Sequence, residues 1–129
     1  VLNLLQDIQE ERRLGLLFIT HDLSVVSEIA DRVAVMYLGR IVESGSRARV
    51  LGSPRHPYTT ALLSAASGAW KPATAPIILK GDPPSPAKPP SGCGFRERCW
   101  RATEICARLA PQLAVAGTDE HLVACHHPG

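Results

Sequence analysis

Seven of the nineteen residues from Pro72 to Pro90 are proline. Each proline fixes φ and removes a backbone donor, so neither a continuous helix nor a central strand can run through this stretch. That density favours extended chain wrapping over a neighbouring surface. Regular structure is therefore expected on either side of it. Within it, only Pro76 to Lys80, with Ile77, Ile78 and Leu79, has the make-up of an edge strand.

On the N-terminal side the run Leu16-Leu17-Phe18-Ile19-Thr20-His21-Asp22-Leu23 is short, apolar and free of polar alternation. Such a run reads as a strand buried on both faces of a mostly parallel sheet. His21 would then stand at the strand's carboxyl end, where open α/β sheets place their ligand crevices. Asp22 can cap a helix over about Leu23 to Ala30. Before the strand, Val1 to Leu14 reads as an amphipathic helix, with Leu2, Leu5 and Ile8 opposite Gln6, Glu10 and Arg13, stopped by Gly15. After it come a valine-rich strand from Arg32 to Leu38, a tight turn at Gly39-Arg40 and an antiparallel return over Ile41 to Glu43, closed by Gly45. Ser46 caps a short helix ending near Gly52, and Pro57 opens another reaching Ala66. The reading is α/β.

Composition removes several function classes. The 129 residues are 45% hydrophobic and 20% charged, which is globular rather than disordered. A net charge of +2 is too small to argue for nucleic acid, and from Gly92 onward four arginines face four acids. No apolar stretch approaches the roughly 18 to 20 residues that span a bilayer, so a membrane connection is expected through a partner. The chain starts at Val1 inside a helical pattern, which suggests a fragment.

Two constellations carry chemistry. Phosphoryl transfer asks a protein to position the attacking water and to stabilise charge on the γ-phosphate, and a histidine at a strand end can donate a ring N–H there. By position alone His21 reads first as a structural histidine at a strand–helix junction. The second constellation is Cys93, Cys99, Cys106 and Cys125, spaced C-x5-C-x6-C-x18-C. Composition alone would pair them as two disulfides. The spacing lacks the C-x2-C knuckle of structural zinc, while soft thiolates suit iron–sulfur clusters and four suffice for a cubane. His126 and His127 keep a Cys3His zinc site as an alternative. His56 is read as packing before Pro57, His121 as a surface residue beside a short strand at Leu122 to Ala124, and Ala102 to Leu109 as a helix between cysteine loops. Asp31 and Arg32 read as a cap and salt bridge.

Thr20-His21-Asp22-Leu23, followed by Ile29-Ala30-Asp31-Arg32-Val33-Ala34-Val35-Met36-Tyr37-Leu38-Gly39-Arg40-Ile41-Val42-Glu43-Ser44-Gly45, resembles the histidine-switch region of ABC transporter ATPase subunits. His56-Pro57-Tyr58-Thr59 and the spaced cysteines narrow the resemblance to the oligopeptide/dipeptide/nickel importers. It implies that residues 1–52 are the C-terminal end of a P-loop (RecA-like) ABC ATPase domain and 53–129 an irregular Pro- and Cys-rich extension. It also implies His21 as the γ-phosphate contact, ATP and Mg²⁺ as ligands of the full subunit, and a 4Fe-4S cluster on Cys93, Cys99, Cys106 and Cys125, since thiols at a cytosolic surface stay reduced. The family usually places proline after its first two cysteines, where Gly94 and Trp100 stand here. The implied partners are a second ATPase subunit, transmembrane permease subunits and a solute-binding protein, at the cytoplasmic face of the plasma membrane. No phosphate loop, Walker B acid pair or Leu-Ser-Gly-Gly-Gln signature occurs, so this chain alone is expected neither to bind ATP tightly nor to hydrolyse it. A non-enzymatic iron–sulfur or zinc-binding module is the alternative from another class.

Overall fold

A computed structural model describes residues 1–66, 75–117 and 120–129. The expectations that touch Ser67 and Pro72 lie outside these residues. Helices α1 (Leu2–Arg12) and α2 (Leu23–Ile29) precede strands β1 (Arg32–Tyr37) and β2 (Arg40–Ser46). Helices α3 (Arg47–Gly52) and α4 (Pro57–Ala65) follow, then a 3₁₀ turn at Arg96–Arg98, α5 (Glu104–Arg108), β3 (Ala114–Val115) and β4 (Leu122–Val123). The strands form one sheet in the order β1-β2-β4-β3, and every pairing is antiparallel. The fold is thus a small α/β structure, and the expectation of a mostly parallel sheet is corrected.

The hairpin β1–β2 is built by local chemistry. Leu38 and Gly39, with φ of 47° and 74°, form a two-residue loop closed by the pair Tyr37 and Arg40. Two consecutive positive φ angles give the loop a twist that matches the flanking strands. Along β1 the side chains alternate, so Val33, Val35 and Tyr37 point inward while Arg32, Ala34 and Met36 face out. The core gathers these three with Val42, Val50 and Phe95, and Tyr58, Leu62, Leu79, Cys93 and Cys99 pack against it. Tyr37 and Phe95 meet edge to face at 5.2 Å, and Tyr58 lies 4.7 Å from Tyr37.

Helix starts follow the sequence cues. Asp22 accepts the Ser24 N–H at 2.9 Å, Ser46 accepts that of Arg49, and Pro57 stands in the first turn of α4. Two expected strands do not form. Residues 16–22 carry no helix or strand, and Leu17 and Ile19 are 91% and 95% exposed. A doubly buried strand needs a neighbour on each edge and cover on both faces, and among the described residues nothing pairs with this run. Residues 75–80 are likewise irregular; there the Ile77 N–H is satisfied by Ser64 Oγ at 2.9 Å instead of a ladder.

Candidate metal centre and the polar knot beside it

Sequence distance is closed here by one buried carboxylate. Glu43, in the middle of β2 and fully buried, pairs across the sheet with Val35 on one side and Val123 on the other. Its Oε1 accepts the Arg55 N–H at 2.8 Å and contacts His121 Nε2 at 2.6 Å, while its Oε2 accepts the His56 N–H at 3.0 Å. A buried carboxylate persists only when its lone pairs are filled, and here three donors fill them. His121, expected at the surface, is 3% exposed, because Glu43 draws its ring inward. Sequence reasoning missed this role for Glu43 and His121. The only local signal was a lone acid in a strand otherwise rich in small and apolar residues.

His56 ties the same knot to the first helix of the C-terminal half. Its Nδ1 accepts the Tyr58 N–H at 3.0 Å, so the imidazole itself caps α4. That bond and a contact with the Ala124 backbone hold the ring in place, and it packs 5.7 Å from Phe95. Burial lowers its pKa from 6.5 to about 4, against the opposing pull of Glu43.

Ala124 leads directly to Cys125, and the knot therefore borders the cysteines. Cys93, Cys99, Cys106 and Cys125 all line one small cavity, whose wall also includes His56, Phe95, His126 and His127. All four are free thiols. Cys93 donates its backbone N–H to the Cys106 carbonyl at 2.7 Å. That approach depends on Gly92, at φ 68°, where a Cβ would lie 2.3 Å from the same oxygen. Burial, followed by the proximity of the other sulfurs, pushes the Cys99 and Cys125 thiols up; Cys93 is pushed up by burial and by Cys106.

The backbone counters this with N–H groups aimed at sulfur two residues back. Arg101 N–H donates to Cys99 Sγ at 3.4 Å and His127 N–H to Cys125 Sγ at 3.3 Å, while Phe95 N–H acts on Cys93 in the same way. Such donors stabilise the thiolate form that a metal requires. By chemical type, four thiols are the donors that a soft metal takes. Among the described residues, no three His, Cys, Asp or Glu side chains are grouped closely enough to hold an ion.

His21 lies elsewhere. It is exposed at the end of the unpaired run 16–22, next to the Asp22 cap, whose carboxyl is held below its usual pKa first by the Ser24 hydroxyl. Arg32 pairs with Glu120 at 3.0 Å, a partner sequence reasoning did not name.

Residues 42–106, the stretch that holds Glu43, His56 and three of the four cysteines, match the family described as "Oligopeptide/dipeptide transporter, C-terminal region". The chain belongs to this family. Related proteins of the oligopeptide/dipeptide transporter type align along nearly its whole length. Similarity reaches 50% identity over 131 residues with the dipeptide transport ATP-binding protein DppF of Escherichia coli, covering 97% of this chain and 37% of that protein. DppF of Haemophilus influenzae is 50% identical over 133 residues, covering 98% of this chain and 39% of that protein. The oligopeptide transport ATP-binding protein AppF of Bacillus subtilis is 47% identical, with the same 98% and 39% coverage. The chain thus spans about two fifths of the length of the curated relatives it matches.

Proposed function

We propose that this chain is the C-terminal part of the ATP-binding subunit of an ABC importer that takes up di- or oligopeptides, or nickel. The observation that carries the reading is 50% identity to DppF across 97% of the chain. In this reading residues 1–52 complete the ATP-binding domain and 53–129 form the Pro- and Cys-rich extension, the two sharing the sheet through β2 and β4. ATP and Mg²⁺ belong to the full subunit, because the chain holds no phosphate loop of its own. His21 is assigned the γ-phosphate contact, made once the run 16–22 is covered and paired. The partners are a second ATP-binding subunit, permease subunits and a solute-binding protein. Peripheral attachment to the cytoplasmic face goes with the importer assignment; no helix among the described residues is long and apolar enough to cross a membrane.

A chimera tests the assignment: this chain replaces the stretch it matches, 37% of Escherichia coli DppF, in a strain lacking that subunit. Dipeptide-dependent growth is expected, and His21→Ala in the chimera should abolish it without loss of subunit assembly. A chimera that assembles but transports nothing overturns the reading.

The cysteines carry the second half of the proposal. Cys93, Cys99, Cys106 and Cys125 would hold a 4Fe-4S cluster, supported by their shared cavity and by the N–H groups aimed at three of the sulfurs. Bound there, the group would supply a cross-link among distant segments and a redox-sensitive centre. The same cavity also favours the reading as a non-enzymatic iron–sulfur or zinc module. Anaerobic iron and sulfide loading should give a brown protein absorbing broadly in the visible blue. A colourless chain holding one zinc would decide for the zinc module.

A further inference from the structure

Three of the four cavity sulfurs have a backbone N–H from the residue two positions on; Cys106 does not share that arrangement. Cys106 sits inside α5, where the following N–H groups belong to the helix, and its carbonyl is taken by the Cys93 N–H. Its sulfur is instead met by a side chain. Thr103 Oγ1 lies 3.8 Å from Cys106 Sγ and 2.7 Å from His127 Nε2. The hydroxyl therefore stands between the sulfur of α5 and the imidazole of the residue whose own N–H reaches Cys125 Sγ.

We propose that Thr103, held by His127, is the positioning residue that orients the Cys106 thiolate. This rests on the thiolate-centre reading above and deepens it. A bound thiolate only accepts hydrogen bonds, so the Thr103 hydroxyl donates to Cys106 Sγ and accepts from His127 Nε2–H. The chain bends through His127 so that one residue serves both late cysteines: backbone to Cys125, ring through Thr103 to Cys106. The eighteen residues between these cysteines are held by the β3–β4 pairing and by His126 Nε2 on the Leu109 carbonyl at 2.7 Å, and the Thr103–His127 contact adds a tie that reaches the sulfur itself. Thr103 is exposed and Cys106 buried, so the hydroxyl also stands on the solvent side of the sulfur.

The test uses the full 129-residue chain loaded anaerobically with iron and sulfide. Thr103→Val keeps the shape and removes the hydroxyl; Thr103→Ser restores the hydroxyl; His127→Ala removes the ring but keeps the N–H to Cys125. Losing an outer partner of a ligand typically costs ~10–100-fold in metal affinity, so iron loss to a chelator should quicken by about that factor in Thr103→Val. Its midpoint potential should also fall, since one hydrogen bond to sulfur is gone. Thr103→Ser should return both toward wild type, and His127→Ala should share part of the defect. Wild-type behaviour of both Thr103→Val and His127→Ala, or no rescue by Thr103→Ser, overturns the positioning role. A wild-type chain that forms no chromophore overturns the centre itself, and this inference with it.

Discussion

Residues 16–22 and 32–37 are two apolar segments of similar length with opposite fates. Leu17 and Ile19 are almost fully exposed, whereas Val33, Val35 and Tyr37 are buried at 7–9% exposure. Aliphatic content does not separate them. What separates them is a partner: β1 is handed β2 by a two-residue turn, and β2 is handed β4 by Glu43 and His121. The first segment has no such supply among the described residues. Burial here follows from pairing, and pairing from a few specific residues.

The most severe way to break this contrast is Glu43→Ala. It leaves His121 and the N–H groups of Arg55 and His56 without their acceptor, and removing one partner from a buried polar cluster costs about 3–5 kcal/mol. Thermal denaturation should show a large fall in Tm or loss of the folded baseline. The matched control, Ile19→Ala, should stay within about 0.5 kcal/mol, as exposed substitutions do. Equal effects at the two sites would dissolve the distinction.

Acid should attack the same region through His56. Its folded pKa of about 4 lies below the ordinary 6.5, so the unfolded chain binds the proton more readily. Stability is complete above about pH 6.5 and declines as the pH falls to about 4, by roughly 3 kcal/mol in all. Denaturant midpoints taken across that window measure it. His56→Asn keeps an N-cap and removes the titration, so its profile should be flatter there; an unchanged slope would remove His56 from the account.

These two sites also show what the amino-acid order discloses. The hairpin, the Asp22 and Ser46 caps and the Pro57 start were legible because each depends on residues a few positions apart. The four cysteines stand out in the sequence by type, and the structure places all four on one cavity. Glu43 with His121, 78 positions away, was not legible, because no local pattern marks a carboxylate for burial. Thr103 with His127 escaped for the same reason. The strand expected at residues 16–22 failed in the opposite direction: its composition suits a sheet interior, but composition cannot provide the neighbours.

A smaller effect is expected at Gly92. Alanine there must hold φ near 68° and place its Cβ against the Cys106 carbonyl, so the Cys93–Cys106 backbone bond must open. Strain of this kind is on the order of 1–3 kcal/mol. Because the damage falls where two cysteine segments touch, loading of the proposed thiolate centre should suffer more than the melting temperature. Gly15→Ala, where a Cβ meets nothing within 4 Å, is the counterpart in the uncovered region and should change neither.

The smallest expected effect sharpens the comparison most, because it involves neighbours in sequence. Arg32 to Glu120 and Glu43 to His121 both tie the hairpin to the segment that forms β4, across 88 and 78 positions. Loop-closure entropy for the two is therefore nearly equal, since it varies only with the logarithm of length. Their surroundings are not equal: the first pair has side-chain exposures of 57% and 87%, the second of 3% and 0%. Exposed pairs are screened and lose side-chain entropy on forming, so Arg32→Ala should cost about 0.5 kcal/mol or less and vanish in high salt. Chemical denaturation of Arg32→Ala at low and high salt measures this directly. A loss approaching that of Glu43→Ala would mean that the tie itself, rather than its burial and its three filled lone pairs, holds β4 to the hairpin.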